Sequence, residues 1–256
     1  MVNLNDILGY KNRKIYQNDD YFSFSLDSVI LANFCSIRQR DKYILDLCSG
    51  NGIVPFIVSL RTKCHIDAVE IQKELFDLAV SSCEYNNLTD QISFFNLDIK
   101  KFVSKEKCEK YDLITCNPPF FKYTDDSYIN LSYEKTVARH EVLINLEEVV
   151  KISSSLLKSG GNLAMVHRTD RLLDVLSSFK KYNIEPKRLI FVYNKLSKGS
   201  ILFFIEGQKN GNGGLKIEKP FIVYNEDNSY TEEYSYITKE VLKWDKLVMI
   251  ILLLYI

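Results

Sequence analysis

The sequence predicts an α/β fold built on an open, mostly parallel sheet, and three observations lead there. An apolar β-type run, Tyr111-Asp112-Leu113-Ile114-Thr115-Cys116, stops abruptly at Asn117-Pro118-Pro119-Phe120. A second run, Tyr43 to Leu47, passes through Cys48-Ser49-Gly50-Asn51-Gly52 straight into an apolar helical stretch. Between and after these, β-runs alternate with helical patterns, and acids stand at the strand ends: Asp46, Glu70 and Asp98. In an open α/β sheet, ligands bind outside the carboxyl ends of the strands. Polar residues at those ends are therefore the candidate site.

Composition narrows the class. The 256 residues are 46% hydrophobic and 26% charged, enough for one large domain with additions. Lys+Arg and Asp+Glu balance at 33 each, whereas a non-specific polyanion binder would be more basic, so any nucleic acid must be met through a local patch. Cysteines 35, 48, 64, 83, 108 and 116 are scattered, without a C-x-x-C or a Cys/His cluster. That pattern argues against structural zinc and for reduced thiols in a cytoplasm. Met1 to Asp6 lacks the basic and apolar regions of a signal peptide.

Taken in order, residues 1–41 form an N-terminal segment with a small basic cluster (Lys11, Arg13, Lys14) and a helix covering the cofactor site. That helix begins after Ser25, a suitable N-cap, with Asp27 in the first turn against the helix dipole, and ends before Arg38. Residues 42–234 carry the main domain. Its first strand, Tyr43–Leu47, leads through the glycine loop into a helix from Ile53 to about Leu60. Gly50 and Gly52 let the backbone approach a ligand at the helix N-terminus, and Asp46 can receive the amine of an amino-acid moiety. The second strand, His65–Ile71, carries Glu70 near its end, where it either accepts both hydroxyls of an adenosine ribose or stays a solvated acid. A helix from Gln72 to about Asn87 follows, with Leu75, Leu78, Ala79 and Cys83 at helical spacing. The third strand, Ile92–Leu97, is closed by Asp98, which accepts an adenine amino proton or simply caps Lys100-Lys101-Phe102.

The fourth strand delivers the chemistry. Pro118 biases Asn117 towards an extended backbone, and neither proline can donate to a ladder, so the strand ends with the Asn117 amide and the Pro118 carbonyl free. Two adjacent acceptors suit the two N–H bonds of an exocyclic amine, and Phe120 can stack on the ring that carries it. An exocyclic amine on an aromatic ring is a poor nucleophile, because its lone pair is delocalised. Acceptors on both N–H bonds favour pyramidalisation, after which transfer is helped mainly by positioning and electrostatics. Asn117 is neutral and cannot be a general base, so neither a metal nor a catalytic His is required.

Asp-Leu-Cys-Ser-Gly-Asn-Gly followed by Asn-Pro-Pro-Phe resembles the Rossmann-like amino-group methyltransferases that use S-adenosylmethionine. Phe22-Ser23-Phe24-Ser25-Leu26-Asp27, Ala138-Arg139-His140-Glu141 and Glu185-Pro186-Lys187-Arg188 resemble, more narrowly, the bacterial tRNA(Val) adenine-37 N6-methyltransferases. The resemblance covers roughly residues 22–231. It implies a seven-stranded class I methyltransferase sheet, mostly parallel with an antiparallel edge strand. It also implies a cofactor held by Asp27, Asp46, Cys48, Gly50, Gly52, Glu70, Asp98 and Asn117, and a target adenine held by Asn117, Pro118, Pro119 and Phe120. Cys48 departs from the pattern, since many methyltransferases have a third glycine there.

Further substrate contacts are expected from Phe121 and Tyr123, at the start of a polar, aromatic lid over Lys122 to Glu134, and from Arg139 and His140, which otherwise punctuate the next helix. That helix runs from Asn145 to Leu157. Gly160-Gly161 should turn the chain into a strand, Asn162–His167, followed by a helix from Asp170 to Tyr182 and two antiparallel strands, Leu189–Asn194 and Ile201–Gly207. Lys187, Arg188, Lys195, Lys198, Lys209, Lys216 and Lys219 collect late and contact RNA phosphates if they converge on the active-site face. Residues 235–256 end in ten apolar residues from Leu247, short of the about 20 needed to span a bilayer; burial against the domain or a partner is the first expectation, with contact to a membrane surface or a divergent terminus of little function as the alternatives. The same amide-Pro-Pro pocket would also serve an enzyme that methylates protein glutamine or guanine in ribosomal RNA. A non-catalytic RNA-binding module is the alternative of another class, although erosion of the glycine loop or of Asn-Pro-Pro-Phe would be expected there.

Overall fold

Strand β3 (Tyr43–Leu47) is an interior strand of the sheet, buried on both faces as a parallel strand between two layers of helices must be. Ile44 points into one core and Leu45 and Leu47 into the other. A computed structural model of the chain describes residues 2–7, 10–18, 26–120 and 144–238. Phe121, Tyr123, Arg139 and His140, the expected lid, Ser25 and the apolar tail lie outside the described residues.

The elements follow in order. A hairpin of β1 (Val2–Ile7) and β2 (Tyr10–Asn18) precedes α1 (Leu26–Phe34), β3 and α2 (Ile53–Arg61). Then come β4 (His65–Glu70), α3 (Lys73–Tyr85), β5 (Ile92–Asn96), α4 (Ile99–Phe102) and β6 (Tyr111–Cys116). The second half holds α5 (Leu146–Leu156), β7 (Leu157–Arg168), α6 (Leu172–Lys181), β8 (Ile184–Tyr193) and β9 (Ser200–Lys209). Short strands β10 (Lys216–Ile217) and β11 (Phe221–Ile222) and helix α7 (Glu232–Thr238) close it.

The main sheet has the order β10-β8-β9-β7-β6-β3-β4-β5, with β11 also paired to β8. All neighbours are parallel except β9, which runs antiparallel to β7 and to β8. The expected seven strands are thus present, with an antiparallel hairpin at one edge and two two-residue strands laid along β8. One core joins α1, α2 and part of α3 to the sheet; the other joins α4, α5 and α6 to the opposite face. The strand order reverses between β3 and its neighbours β4 and β6, so a crevice opens at the carboxyl ends of β3 and β6.

Three local departures from expectation have physical reasons. The N-terminal hairpin carries no strong β pattern, yet its backbone is fixed by side chains at the C-terminal end of α3. Lys14 N donates to Asn86 Oδ1 at 3.0 Å, Tyr16 N donates to Ser82 Oγ at 2.9 Å, and Ile7 and Ile15 are buried. Strand β7 begins at Leu157 rather than Asn162, because a register shift opposite Tyr111 and Leu113 and a positive φ of 78° at Gly160 absorb the two glycines. Strand β8 begins at Ile184 rather than Leu189: Pro186 falls at a register shift against β9, where a missing ladder donor is tolerated.

Candidate active site

The glycine loop is built by backbone conformation. Cys48, Gly50 and Gly52 all have positive φ, at 58°, 54° and 92°. For Cys48 that conformation costs on the order of 1–2 kcal/mol, which explains why glycine suits this position. Gly52 has a second reason to be glycine, since a Cβ there would lie 2.9 Å from both Phe56 and Phe94. Around Gly50 the space a Cβ would enter is open to 4 Å, leaving room above the loop. Gly52 N donates to Ser49 O at 2.9 Å and Phe56 N to Gly52 O at 3.1 Å, so the loop is wound directly into α2.

Two buried acids flank this loop. Glu70, 5% exposed, accepts from Gly50 N through Oε2 and from Gln72 N through Oε1, each at 2.8 Å. Its carboxylate therefore clamps the loop to the start of α3, and each oxygen keeps a further lone pair. Burial raises its pKa and the backbone hydrogen bonds oppose the rise. Asp46, 2% exposed, accepts from Thr115 Oγ1 at 2.6 Å through Oδ1, while Oδ2 is buried without a partner. Burial is the first cause pushing its carboxyl up to about 7, with the nearby Glu70 adding to it. An orphaned carboxylate oxygen facing a glycine cradle fits a ligand ammonium.

Asp98 caps the helix that follows β5. Its Oδ1 accepts from Lys100 N at 2.9 Å as the N-cap of α4, at the carboxyl end of β5. Asn96 ties the same end to β4, donating to Glu70 O and Ile71 O, both at 3.0 Å.

On the other side of the crevice, Asn117 stands at the end of β6. Its Nδ2 donates to Ser28 Oγ on α1 at 3.0 Å, and this orients the amide with Oδ1 left as an acceptor. Among the described residues nothing donates to Asn117 Oδ1 or to the Pro118 carbonyl. Asp27 precedes Ser28 and is 5% exposed. It lines a cavity of about 160 Å³ together with Phe120, Arg168, Thr169, Ser200 and Ile201. Phe120 is itself 6% exposed, its ring centroid 5.6 Å from that of His167. Asp46, the glycine loop, Glu70 and the Asn117–Phe120 turn are thus brought to one crevice. Ser28, Thr115 and His167 complete it, and no short-range pattern marks those three; only the topology makes them neighbours.

The late basic residues do not converge. Lys187 and Lys209 lie at the end of β8 and β9 opposite the crevice, where Lys187 Nζ donates to Asn212 O and Lys209 Nζ to Leu157 O. Arg188 is spent on packing: it donates to Phe34 O at 3.1 Å and to Ser36 Oγ at 2.8 Å, and stacks over the Phe34 ring. Lys195 and Lys198 lie in the β8–β9 connection, at the carboxyl edge, with Lys195 Nζ bonded to Glu226 O at 2.9 Å. Among the described residues no group of His, Cys, Asp and Glu is arranged to hold a metal, and no helix is long and apolar enough to cross a membrane.

Comparison with known proteins agrees with this geometry. The family model described as methyltransferase small domain matches residues 26–185. A tRNA1(Val) (adenine(37)-N6)-methyltransferase of Flavobacterium psychrophilum is 26% identical over 91% of this chain and 97% of its own length. Among solved structures, a predicted O-methyltransferase from Agrobacterium tumefaciens superposes with a TM-score of 0.64 at 16% identity, covering 83% of this chain and 95% of that one. Geranyl diphosphate C-methyltransferase from Streptomyces coelicolor, solved with S-adenosyl-L-homocysteine, gives 0.53 at 9% identity over 72% and 80%.

Proposed function

The chain belongs to the methyltransferase small domain family, and we propose that it methylates the exocyclic N6 of adenine 37 in tRNA(Val). The observation that carries the reading is the pair of acceptors at the end of β6, Asn117 Oδ1 and the Pro118 carbonyl, across the crevice from the glycine loop. S-adenosylmethionine supplies an electrophilic methyl group on a sulfonium when bound. Asp46 Oδ2 receives its ammonium, the Gly50–Gly52 backbone makes room for it, and Glu70 uses its remaining lone pairs on the ribose hydroxyls. Asp98, at the end of β5, borders the adenine side.

Asn117 and Pro118 take one N–H each of the target amine and hold its lone pair out of the ring plane. Ser28 keeps the Asn117 amide in the orientation this requires. Stabilisation is electrostatic and positional, without a general base; the proton leaves after methyl transfer, into solvent. A base in an anticodon loop is easier to splay out than one in a helix, and Phe120 replaces the stacking it loses. With a net charge of zero, recognition rests on local contacts, for which Lys195 and Lys198 are the suitably located cations.

Unmodified tRNA(Val) transcript incubated with labelled S-adenosylmethionine, then digested to nucleosides and analysed by mass spectrometry, tests the reading. N6-methyladenosine that vanishes when adenine 37 alone is changed is the expected result. Methylguanosine, or label confined to a protein glutamine, would overturn it.

A further inference from the structure

His167, next to last in β7, has no place in the chemistry above, yet its surroundings are unusual. The side chain is fully buried. Its Nδ1 accepts the backbone N–H of Arg168 at 2.9 Å, so in the neutral ring the proton sits on Nε2. That Nε2 is buried and has no hydrogen-bond partner. Burial keeps the ring neutral, depressing its pKa to about 4, while the surrounding Arg168, Arg171, Asp170 and Asp174 act in opposite senses. A stranded donor of this kind is costly, and natural proteins keep one mostly where it serves the site.

The ring that His167 meets is Phe120, at 5.6 Å between centroids with the planes inclined at 48°. An N–H directed at an aromatic face is a weak but orienting contact. We propose that His167 is a positioning residue of the base pocket, whose Nε2–H faces the Phe120 ring and holds it at the angle on which the target base stacks. The inference rests on the reading of Phe120 as the stacking surface. Phe120 follows a Pro-Pro turn and is packed in the core beside β7, where the buried His167 ring meets it, so the pair can be preorganised before the base arrives. The Arg168 backbone pins the imidazole, the imidazole pins the phenyl ring, and both lie at the carboxyl edge of the sheet.

The test uses the full chain, S-adenosylmethionine, and tRNA(Val) carrying 2-aminopurine at position 37 for fluorescence and adenine there for kinetics. His167→Phe keeps an aromatic ring but loses the N–H; His167→Gln keeps a donor near Nε2. For His167→Phe the expected result is a KM for tRNA raised about five- to tenfold, with kcat within about twofold. Its bound 2-aminopurine emission should move towards that of Phe120→Ala, because stacking on the ring is lost. Melting temperature and cofactor affinity should stay at wild-type values, and His167→Gln should recover most of the KM. Wild-type KM and emission in His167→Phe would overturn the proposal. So would a parallel loss of melting temperature and cofactor affinity, or a Gln variant no better than Phe. If Phe120→Ala itself matches wild type in emission and KM, the stacking reading falls and this inference with it. If only His167→Phe matches wild type, the stacking reading stands and the inference alone falls.

Discussion

The two halves of the crevice are held in place by different means. On the β3–β4 side, the groups that would grip the cofactor are set by short connections: Glu70 bonds Gly50 and Gln72 of adjoining loops, and the glycine loop winds into α2 within a few residues. On the β6–β7 side, Asn117 takes its orientation from Ser28 on α1, and Phe120 meets His167 on β7. Apart from the Thr115 bond to Asp46, local clamps therefore define the cofactor half, and long-range contacts define the substrate half. If that division is real, changes on one side should leave the other side's function largely intact.

The largest expected effect is Asn117→Ala. Removing the acceptor used by the reacting amine should lower single-turnover methyl transfer by about 100- to 1,000-fold. Calorimetry should find cofactor affinity within about threefold of wild type; a large loss of affinity would break the division. Glu70→Ala is the converse. It removes an acceptor for the ligand and leaves the N–H groups of Gly50 and Gln72 without partners. Cofactor binding should weaken by about 10- to 100-fold, with about 1–3 kcal/mol of stability lost, while the rate at saturating cofactor falls far less. Equal binding by wild type and variant would remove Glu70 from the cofactor site.

A smaller effect comes from pH. The Asp46 carboxyl, raised to about 7 by burial, must be ionised to receive an ammonium, and an α-amino group is already protonated below about 7.7. Cofactor affinity should therefore be highest above pH 7 and fall by up to about tenfold per unit as pH drops below it, a slope that Asp46→Asn abolishes. Stability of the free protein should run the other way. Between the carboxyl's ordinary value of 3.8 and about 7 the folded chain holds a proton that the unfolded chain has released, so stability declines as pH rises through that window. Calorimetry and thermal melts from pH 5.5 to 8 check both signs. The smallest effect is Ser28→Ala. One neutral hydrogen bond contributes about 1 kcal/mol, so turnover should fall about fivefold with cofactor affinity unchanged. No change in turnover would mean that the Asn117 amide is oriented by something else.

The same division describes what could be read before the fold was known. Strands β3, β4, β5 and β6 were legible as short apolar runs closed by acids, glycines or prolines, because such runs are fully buried and their ends are marked by steric rules acting within a few residues. The hairpin β1–β2 was not legible: its residues are mostly polar, and its stability comes from Asn86 and Ser82, some 70 residues away along the chain. The late lysines look like one basic cluster in sequence, but antiparallel strands carry Lys187 and Lys209 to one end of the sheet and leave Lys195 and Lys198 at the other.

By itself the sequence determined the order of elements and the chemical groups at each strand end: Asp46, the Gly50–Gly52 loop, Glu70, Asp98 and Asn117 to Phe120. Period, backbone sterics and turn chemistry are local, and they need no knowledge of neighbours. Only the tertiary structure decided that Thr115 would satisfy one oxygen of Asp46 and leave the other unpaired, that Ser28 would orient Asn117, and that a neutral His167 would sit against Phe120. Those partners are 89 residues apart for Ser28 and Asn117 and 69 for Asp46 and Thr115. Contacts at that separation are set by which strands lie side by side in the sheet, a property of the whole chain packing at once and of no single stretch of it.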